Sequence, residues 1–260
     1  MDLLTLPIPA GWLPVLGLAG LAAGWLDSIA GGGGLIALPA LLLSGMNPLQ
    51  ALATNKLQGS FGAFTAAFNY TRQGWIDLGW ARWLILASFI GAAAGTALVQ
   101  SVDLSLIDNA LPPLLGLTAL YFLLSPRISD VDQHPRIGRL GYGLTAAPLI
   151  GFYDGFFGPG TGSFFTLSAV ALLGARATRA VALTKLLNFA SNIASLAVFV
   201  AGGQVIWTVG GAMVLGQALG AWLGSNMAIR RGVGLIRPLV VVVCLIMMAK
   251  LGYDRYVVGP

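Results

Sequence analysis

The sequence predicts an all-α polytopic membrane protein of two inverted-topology repeats, each a Gly-tipped re-entrant or broken helical hairpin followed by three transmembrane helices. Three observations carry that prediction. The 260 residues are 57% apolar and only 9% charged, with a mean hydropathy of +0.84, whereas ordinary soluble domains carry about 25% charge. The order of features from Gly24 to Lys56 returns from Gly151 to Lys185. The charge of equivalent loops swaps between the two copies, so a basic loop in one copy answers an uncharged or acidic loop in the other.

The duplication is legible residue by residue. Asp27 answers to Asp154, Gly31 to Gly158, Gly33 to Gly160, Gly45 to Gly174 and Lys56 to Lys185, at an offset that drifts only from 127 to 129. Such a repeat has to be settled before any fold is assigned. It divides the chain into a first membrane repeat (1–124), a polar connector (125–139) and a second membrane repeat (140–260). Apolar runs near 20 residues suit helical spans. The absence of period-2 alternation argues against an outer-membrane barrel.

Met1 to Pro9 is short and holds no Lys or Arg. The first apolar run, about Ala10 to Ala30, is long enough to cross the bilayer. No small-residue cleavage site follows it, so it reads as structure and not as a removed signal peptide. After Gly31, Gly32, Gly33 and Gly34 comes a short run, about Leu35 to Gly45, which at 1.5 Å per residue covers roughly half the hydrocarbon core. Asn47 and Pro48 turn the chain into a segment from Leu49 to about Tyr70 that carries Thr54, Asn55, Lys56 and Gln58. Arg72 to Arg82 is a polar, Trp-rich boundary of the kind found at bilayer interfaces. Two plainer spans follow, about Trp83 to Val99 and Leu106 to Leu124, the latter softened by Pro112 and Pro113.

The second copy repeats the scheme with about Leu140 to Phe157, a short run from Ser163 to Leu173, and a Lys-bearing segment from Ala177 to Val200. Spans at about Val205 to Ala228 and Leu235 to Leu251 complete it. Gly91 and Gly95 answer to Gly216 and Gly220, and Pro113 to Pro238. Small residues at four-residue spacing let helices approach closely in lipid.

Lys and Arg favour the cytoplasmic side. The Asn47 turn is uncharged while its copy holds Arg176 and Arg179. The boundary with Arg72 and Arg82 is basic while Ala201 to Gln204 is not. The loop with Asp103 and Asp108 is acidic while its copy holds Arg230 and Arg231. Corresponding loops should therefore lie on opposite faces, as in an inverted repeat. Three firm crossings per repeat then follow, with an outside N-terminus and a first pair of segments that enters and returns on its own side. Lys250 and Arg255, placed outside by this count, are its one violation.

Irregular backbone deep in a membrane is tolerated where it is buried in protein or lines a cavity. Helices starting at Leu35 and Ser163 would aim free N–H groups and positive dipole ends at the membrane interior, which makes a candidate anion site. Lys56 and Lys185 sit about two turns inside apolar segments, and an intramembrane charge marks a functional site by default. The competing reading is that each Lys snorkels to the interface. Asp27 and Asp154 are placed to pair with those lysines, to carry a coupled proton, or to cap backbone N–H groups. Asn55, Gln58, Thr184, Asn188 and Asn192 are candidates for hydrogen bonds to substrate, although polar residues also glue membrane helices together.

No cofactor motif survives inspection. GPGTGS lacks the Gly-Lys-Ser/Thr ending of a phosphate-cradling loop, and neither glycine cluster follows a soluble strand. His134, the only His, lies in the connector, and Cys244, the only Cys, lies in an apolar run. A metal cluster of N and S ligands is thus not expected, nor is a catalytic nucleophile and base. The net charge of +5 is scattered among apolar spans and suits an anionic lipid leaflet, not nucleic acid.

DSIAGGGGL followed by TNKLQG, with GFFGPGTGS followed by TKLLN, resembles the sulfite exporter TauE/SafE family over nearly the whole chain. The resemblance implies a multi-pass transporter of the bacterial inner membrane that handles sulfite, sulfonates or related sulfur anions. It places the family motifs on Asp27, Gly31 to Gly34, Asn55, Lys56, Gly158, Gly160, Gly162 and Lys185. Pro159 and Thr161 interrupt the second glycine cluster and Thr184 replaces Asn55, so unequal half-sites are expected. The expected function is alternating-access export of a small sulfur oxyanion or organosulfonate, with Lys56 and Lys185 attracting the anion and Asp27 or Asp154 coupling protons. The alternatives are a passive anion channel, a permease for another small organic anion and, further off, a membrane enzyme or assembly partner.

Overall fold

The computed structural model describes residues 8–124 and 134–231. The span expected at Leu235 to Leu251, with Pro238, Cys244, Lys250 and Arg255, lies outside the described residues, as does the connector from 125 to 133. Among the described residues the chain forms helices and no strand. They are α1 (Trp12–Ala30), α2 (Gly34–Leu43), α3 (Pro48–Arg72), α4 (Leu78–Val99), α5 (Leu104–Leu124), α6 (Arg139–Leu144), α7 (Ala146–Phe156), α8 (Thr161–Leu173), α9 (Ala177–Ala201) and α10 (Trp207–Arg231). By length and composition α1, α4 and α9 are long and apolar enough to cross a membrane. The length of α3 is 25 residues, but the polar groups that it buries dilute its hydropathy.

Local chemistry sets the ends. Asn47 stands in extended backbone and its Oδ1 accepts the Gln50 N–H at 2.9 Å, with Pro48 at the first helical position, a pairing that starts helices well. Asp77 caps α4 by accepting the Trp80 N–H, so α4 absorbs Leu78 to Arg82 from the expected polar boundary. Asp103 does the same before α5, and the N–H and hydroxyl of Ser105 hold its exposed carboxyl below the usual range.

The single segment expected from Leu140 to Phe157 is instead two helices, broken at Thr145 (φ −122°, ψ −83°). Pro148 has no N–H to donate to the carbonyl of Leu144. The Thr145 hydroxyl turns back onto the Gly141 carbonyl at 2.7 Å.

The helices pack as interlocked pairs. α1 lies along α10, and α7 lies along α4. Both pairs run parallel, since Gly17 faces Ala212 and Gly24 faces Gln217, while Gly151 faces Ser88 and Gly155 faces Ala92. α3 crosses α9 antiparallel, with Gly59 against Asn192 and Phe64 against Phe189. α3 also runs with α10, and α4 contacts α9. Phe61, Phe64, Phe68, Ile90 and Leu215 remain exposed around this bundle, as lipid-facing residues should.

Every arginine of the described residues gathers at one end. Arg139 donates from Nη1 to the Trp80 carbonyl at 3.2 Å, Arg176 lies 5.0 Å from the Trp75 ring centroid, and the Arg136 N–H bonds the Leu172 carbonyl. These contacts join the α3–α4 loop, the α8–α9 loop and the entry to α6. α10 delivers Arg230 and Arg231 to the same end, because Asn69 near the end of α3 bonds Ser225 near the end of α10. The opposite loops, at 44–47, 100–103 and 202–206, hold no Lys or Arg.

The parallel seams depend on glycine. A Cβ on Gly24 would meet Gln217 C at 2.9 Å and Ala221 N at 3.0 Å, and one on Gly155 would meet Ala92 C and Thr96 Oγ1 at 2.8 Å. Backbone atoms cannot move aside singly, so a methyl group there forces the helices apart. Gly24→Ala and Gly155→Ala should each destabilise the detergent-purified protein by about 1–3 kcal/mol, read as a fall in melting temperature. Gly211→Ala, where a Cβ would meet nothing within 4 Å, should be neutral or stabilising. Equal effects at all three positions would contradict this packing.

Candidate functional site

The glycine clusters turn the chain at the centre of the bundle. Gly31 ends α1 with φ 81°, and Gly158 and Gly160 take φ 99° and 83° between α7 and α8. This left-handed backbone favours glycine. The other clustered glycines serve close approach. A Cβ on Gly162 would lie 2.9 Å from the Gly31 carbonyl oxygen, and one on Gly34 would lie 3.2 Å from Pro159 Cα. The two tips thus touch through their backbones, and the Ser163 hydroxyl donates to the Ala30 carbonyl at 2.6 Å.

Around these tips four charged side chains form two ion pairs, and the pairs are crosswise. Lys56 of α3 reaches Asp154 of α7 (Nζ to Oδ1 2.9 Å), with side-chain exposures of 1% and 4%. Lys185 of α9 reaches Asp27 of α1 (Nζ to Oδ2 3.3 Å) and is fully buried. Each motif copy therefore supplies the lysine of one pair and the aspartate of the other. The second oxygen of Asp154 accepts the Ser191 hydroxyl. The Asp27 carbonyl accepts from Lys185 and from the Gly31 N–H, and its Oδ1 accepts the Gly33 N–H at 3.4 Å. Asp27 thus fastens the turn before α2 as well as pairing with a lysine.

A small polar cavity of about 30 Å³ opens between the tips and the crossing of α3 and α9. Gly31, Gly33, Gly34, Gly158, Gly160 and Gly162 line it, with Asp27, Asp154, Lys56, Asn55, Gln58 and Asn188. Of the residues singled out in the sequence, Gly32, Thr184 and Lys185 do not line it. Lys185 is turned to Asp27, and the Thr184 hydroxyl pairs with Thr166 at 3.0 Å. Gly59, Thr161, Asn192 and Gln217 complete the lining. Asn192 was among the residues singled out in the sequence, and Thr161 was noted there only as an interruption of the second glycine cluster, whereas Gly59, Gln217 and the Ser191 that holds Asp154 were not. Gln217 and Ser191 are polar side chains inside apolar runs, the same signal that marks the lysines.

The side-chain amides of the lining are only partly engaged. Gln58 Nε2 donates to Asn55 Oδ1 at 2.7 Å, and Asn192 Nδ2 donates to the Asn188 carbonyl. Gln58 Oε1, Asn188 Oδ1 and Gln217 Oε1 are buried without a hydrogen-bond partner in the protein. Buried polar atoms are normally paired, so three orphaned oxygens on one cavity mark a place built to hold something polar. A half-turn of the Asn188 or Gln217 amide exchanges its acceptor for a two-proton donor, whereas Gln58 is held by its bond to Asn55 Oδ1. Asn188 and Gln217 therefore suit either a donor such as water or an oxyanion.

The model of the sulfite exporter TauE/SafE family matches residues 16–251. The chain belongs to this family. It is 46% identical over 243 residues to a probable membrane transporter protein of Haemophilus influenzae, covering 94% of this chain and 95% of that one. It is 48% identical over 242 residues to the probable membrane transporter protein ORF9 of Sinorhizobium sp, covering 93% of each. It is also 44% identical over 244 residues to the probable membrane transporter protein YfcA of Escherichia coli K12, covering 94% of this chain and 91% of that one. No solved structure matches significantly. TauE/SafE membership and the apolar helices together mark a membrane protein.

Breaking one buried pair strands a charge in a medium that solvates it poorly. Lys56→Met should therefore cost about 3–5 kcal/mol of stability, seen as a large drop in melting temperature. The double variant Lys56→Met, Asp154→Leu should recover most of that loss. A double variant as unstable as the single one would show that the pair is not what Lys56 contributes.

Proposed function

We propose that this TauE/SafE protein is a secondary transporter that carries a small sulfur oxyanion across the bacterial inner membrane, as an exporter, by alternating access around the crossing of α3 and α9. The observation that carries the proposal is the crosswise pairing of Lys56 with Asp154 and Lys185 with Asp27 beside a polar cavity. The substrate class follows from the family's description as sulfite exporters. The cavity, about 30 Å³, suits an oxyanion of a few atoms better than an organosulfonate, since a single water needs roughly 10–15 Å³.

The proposed architecture is an inverted repeat, 1–124 and 140–260 joined by 125–139. Its support is the antiparallel crossing of α3 and α9 and a set of neighbours unchanged when the copies are exchanged: α1 with α10 and α7 with α4, α3 with α10 and α9 with α4. α2 has 10 residues, about 15 Å of helix or half the hydrocarbon core. This length favours re-entrant hairpins whose tips meet in the middle. Irregular ends of this kind hold substrate in carriers built from inverted repeats.

The charge balance sets the mechanism. Two lysines and two aspartates sum to zero, and a neutral buried site gains nothing by admitting a bare anion. The anion must compete with Asp154 for Lys56, the lysine that lines the cavity. A proton on Asp154 removes that competitor, leaves Lys56 to the anion and holds the loaded site near neutrality. Substrate and proton then bind together. Lys185 acts with Asp27 as the second, more structural pair, in keeping with unequal half-sites.

Melting of the purified protein against sulfite, sulfate, thiosulfate, sulfoacetate, taurine and simple carboxylates tests the substrate class. A ligand specific to the folded state raises stability by about 2.7 kcal/mol at a hundredfold excess over its dissociation constant. Selective stabilisation by a small sulfur oxyanion is expected. Stabilisation by carboxylates alone, or by none of the panel, would overturn it.

A further inference from the structure

We propose a second anion site, distinct from the central cavity: a seat for the phosphate headgroup of an anionic phospholipid at the arginine-rich end of the bundle. A cavity of about 470 Å³ lies there between the α3–α4 loop and the α8–α9 loop. One wall is apolar, formed by Ile76, Leu173 and Leu183, and Trp75 and Trp80 flank it. Aromatic rings of this kind sit at headgroup level in membrane proteins.

The charge around it is positive and only partly used. Arg179 lines the cavity, is exposed, and has no hydrogen-bond or ionic partner among the described residues. Arg176 stacks on Trp75, and Arg139 is tied to the Trp80 carbonyl, so two more guanidinium groups stand on the flanking tryptophans. Asp77 is the acidic residue of the lining, and its Oδ1 is occupied as the cap of α4. Among the described residues the lining itself holds one arginine, Arg179, and one carboxylate, Asp77, already engaged as a cap, so Arg179 is the cation the cavity offers to a phosphate.

Charge alone would admit any oxyanion, but the shape selects a lipid. The apolar wall has no use for a free phosphate or sulfite, whereas it would sheathe the glycerol and first acyl carbons below a headgroup. Basic pockets between helices at an anionic leaflet bind such headgroups, and a guanidinium is the side chain best matched to phosphate. Arg179 is the residue assigned to the phosphate, and the ring faces and apolar wall orient the chain.

The test uses the full chain in detergent, with phosphatidylglycerol, phosphatidylcholine of the same acyl chains, and inorganic phosphate. Retention by native mass spectrometry and melting temperature are the two readouts. Phosphatidylglycerol should be retained and should stabilise, and phosphatidylcholine should do neither. Arg179→Gln should weaken retention by about fivefold or more, the worth of one such charge near a membrane surface. Arg230→Gln, which removes a charge at the same end but away from the cavity, should not. Equal retention of the two lipids, or unchanged retention by Arg179→Gln, would overturn the site. Stabilisation by inorganic phosphate to the same degree would overturn the lipid as its occupant.

Discussion

Four charges among apolar helices, three of them buried and Asp27 partly so, are tolerable only because each lysine finds an aspartate, and in this protein each finds it on the other copy of the motif. A buried ammonium or carboxylate without a partner costs several kcal/mol. The crosswise pairing therefore does more than neutralise charge. α3 and α7 must meet at Lys56 and Asp154, and α9 and α1 at Lys185 and Asp27, so neither copy can be completed alone. The glycine tips lie where these constraints intersect, and their backbones touch because no side chain stands between Gly31 and Gly162.

The pairing also requires the long helices to be close. The α1–α10 and α4–α7 seams bring backbones together over glycines, a mode of association that works in lipid, where burial of apolar surface offers no drive. Polar atoms are correspondingly concentrated at the centre. Asn55, Gln58, Asn188, Ser191 and Gln217 are all buried, around a cavity too small for more than a few atoms. Shape, charge balance and three orphaned amide oxygens converge on a small polar guest.

Much of this was legible in the sequence because duplication wrote it twice. Asp27 and Asp154, the glycine clusters, and Lys56 and Lys185 each stood out by recurrence, and most helix limits followed from apolar runs with Asn47 and Pro48 as punctuation. The crosswise choice of partners was not legible, since spacing along the chain does not say which copy an aspartate will face. The break at Thr145 was hidden because no charged residue interrupts Leu140 to Tyr153, and Pro148 shows its effect only through the donor it lacks. Gln217 and Ser191 escaped for a different reason. Their counterparts, Ala92 and Gly62, are not polar, so a search guided by recurrence passes over them. The cavity combines residues of a motif that recurs in the sequence with others that do not recur, and an internal repeat conceals the second kind.

The proposed mechanism rests on competition between an anion and Asp154 for Lys56. The most direct measurement is the affinity of Asp154→Asn for whichever anion most stabilises the folded wild-type protein, taken by calorimetry across pH. Removing the competing carboxylate should strengthen binding by about tenfold, the worth of one hydrogen bond to a charged group, and should flatten its dependence on pH. Binding that is unchanged or weaker in Asp154→Asn, with the wild-type pH dependence retained, would contradict the account.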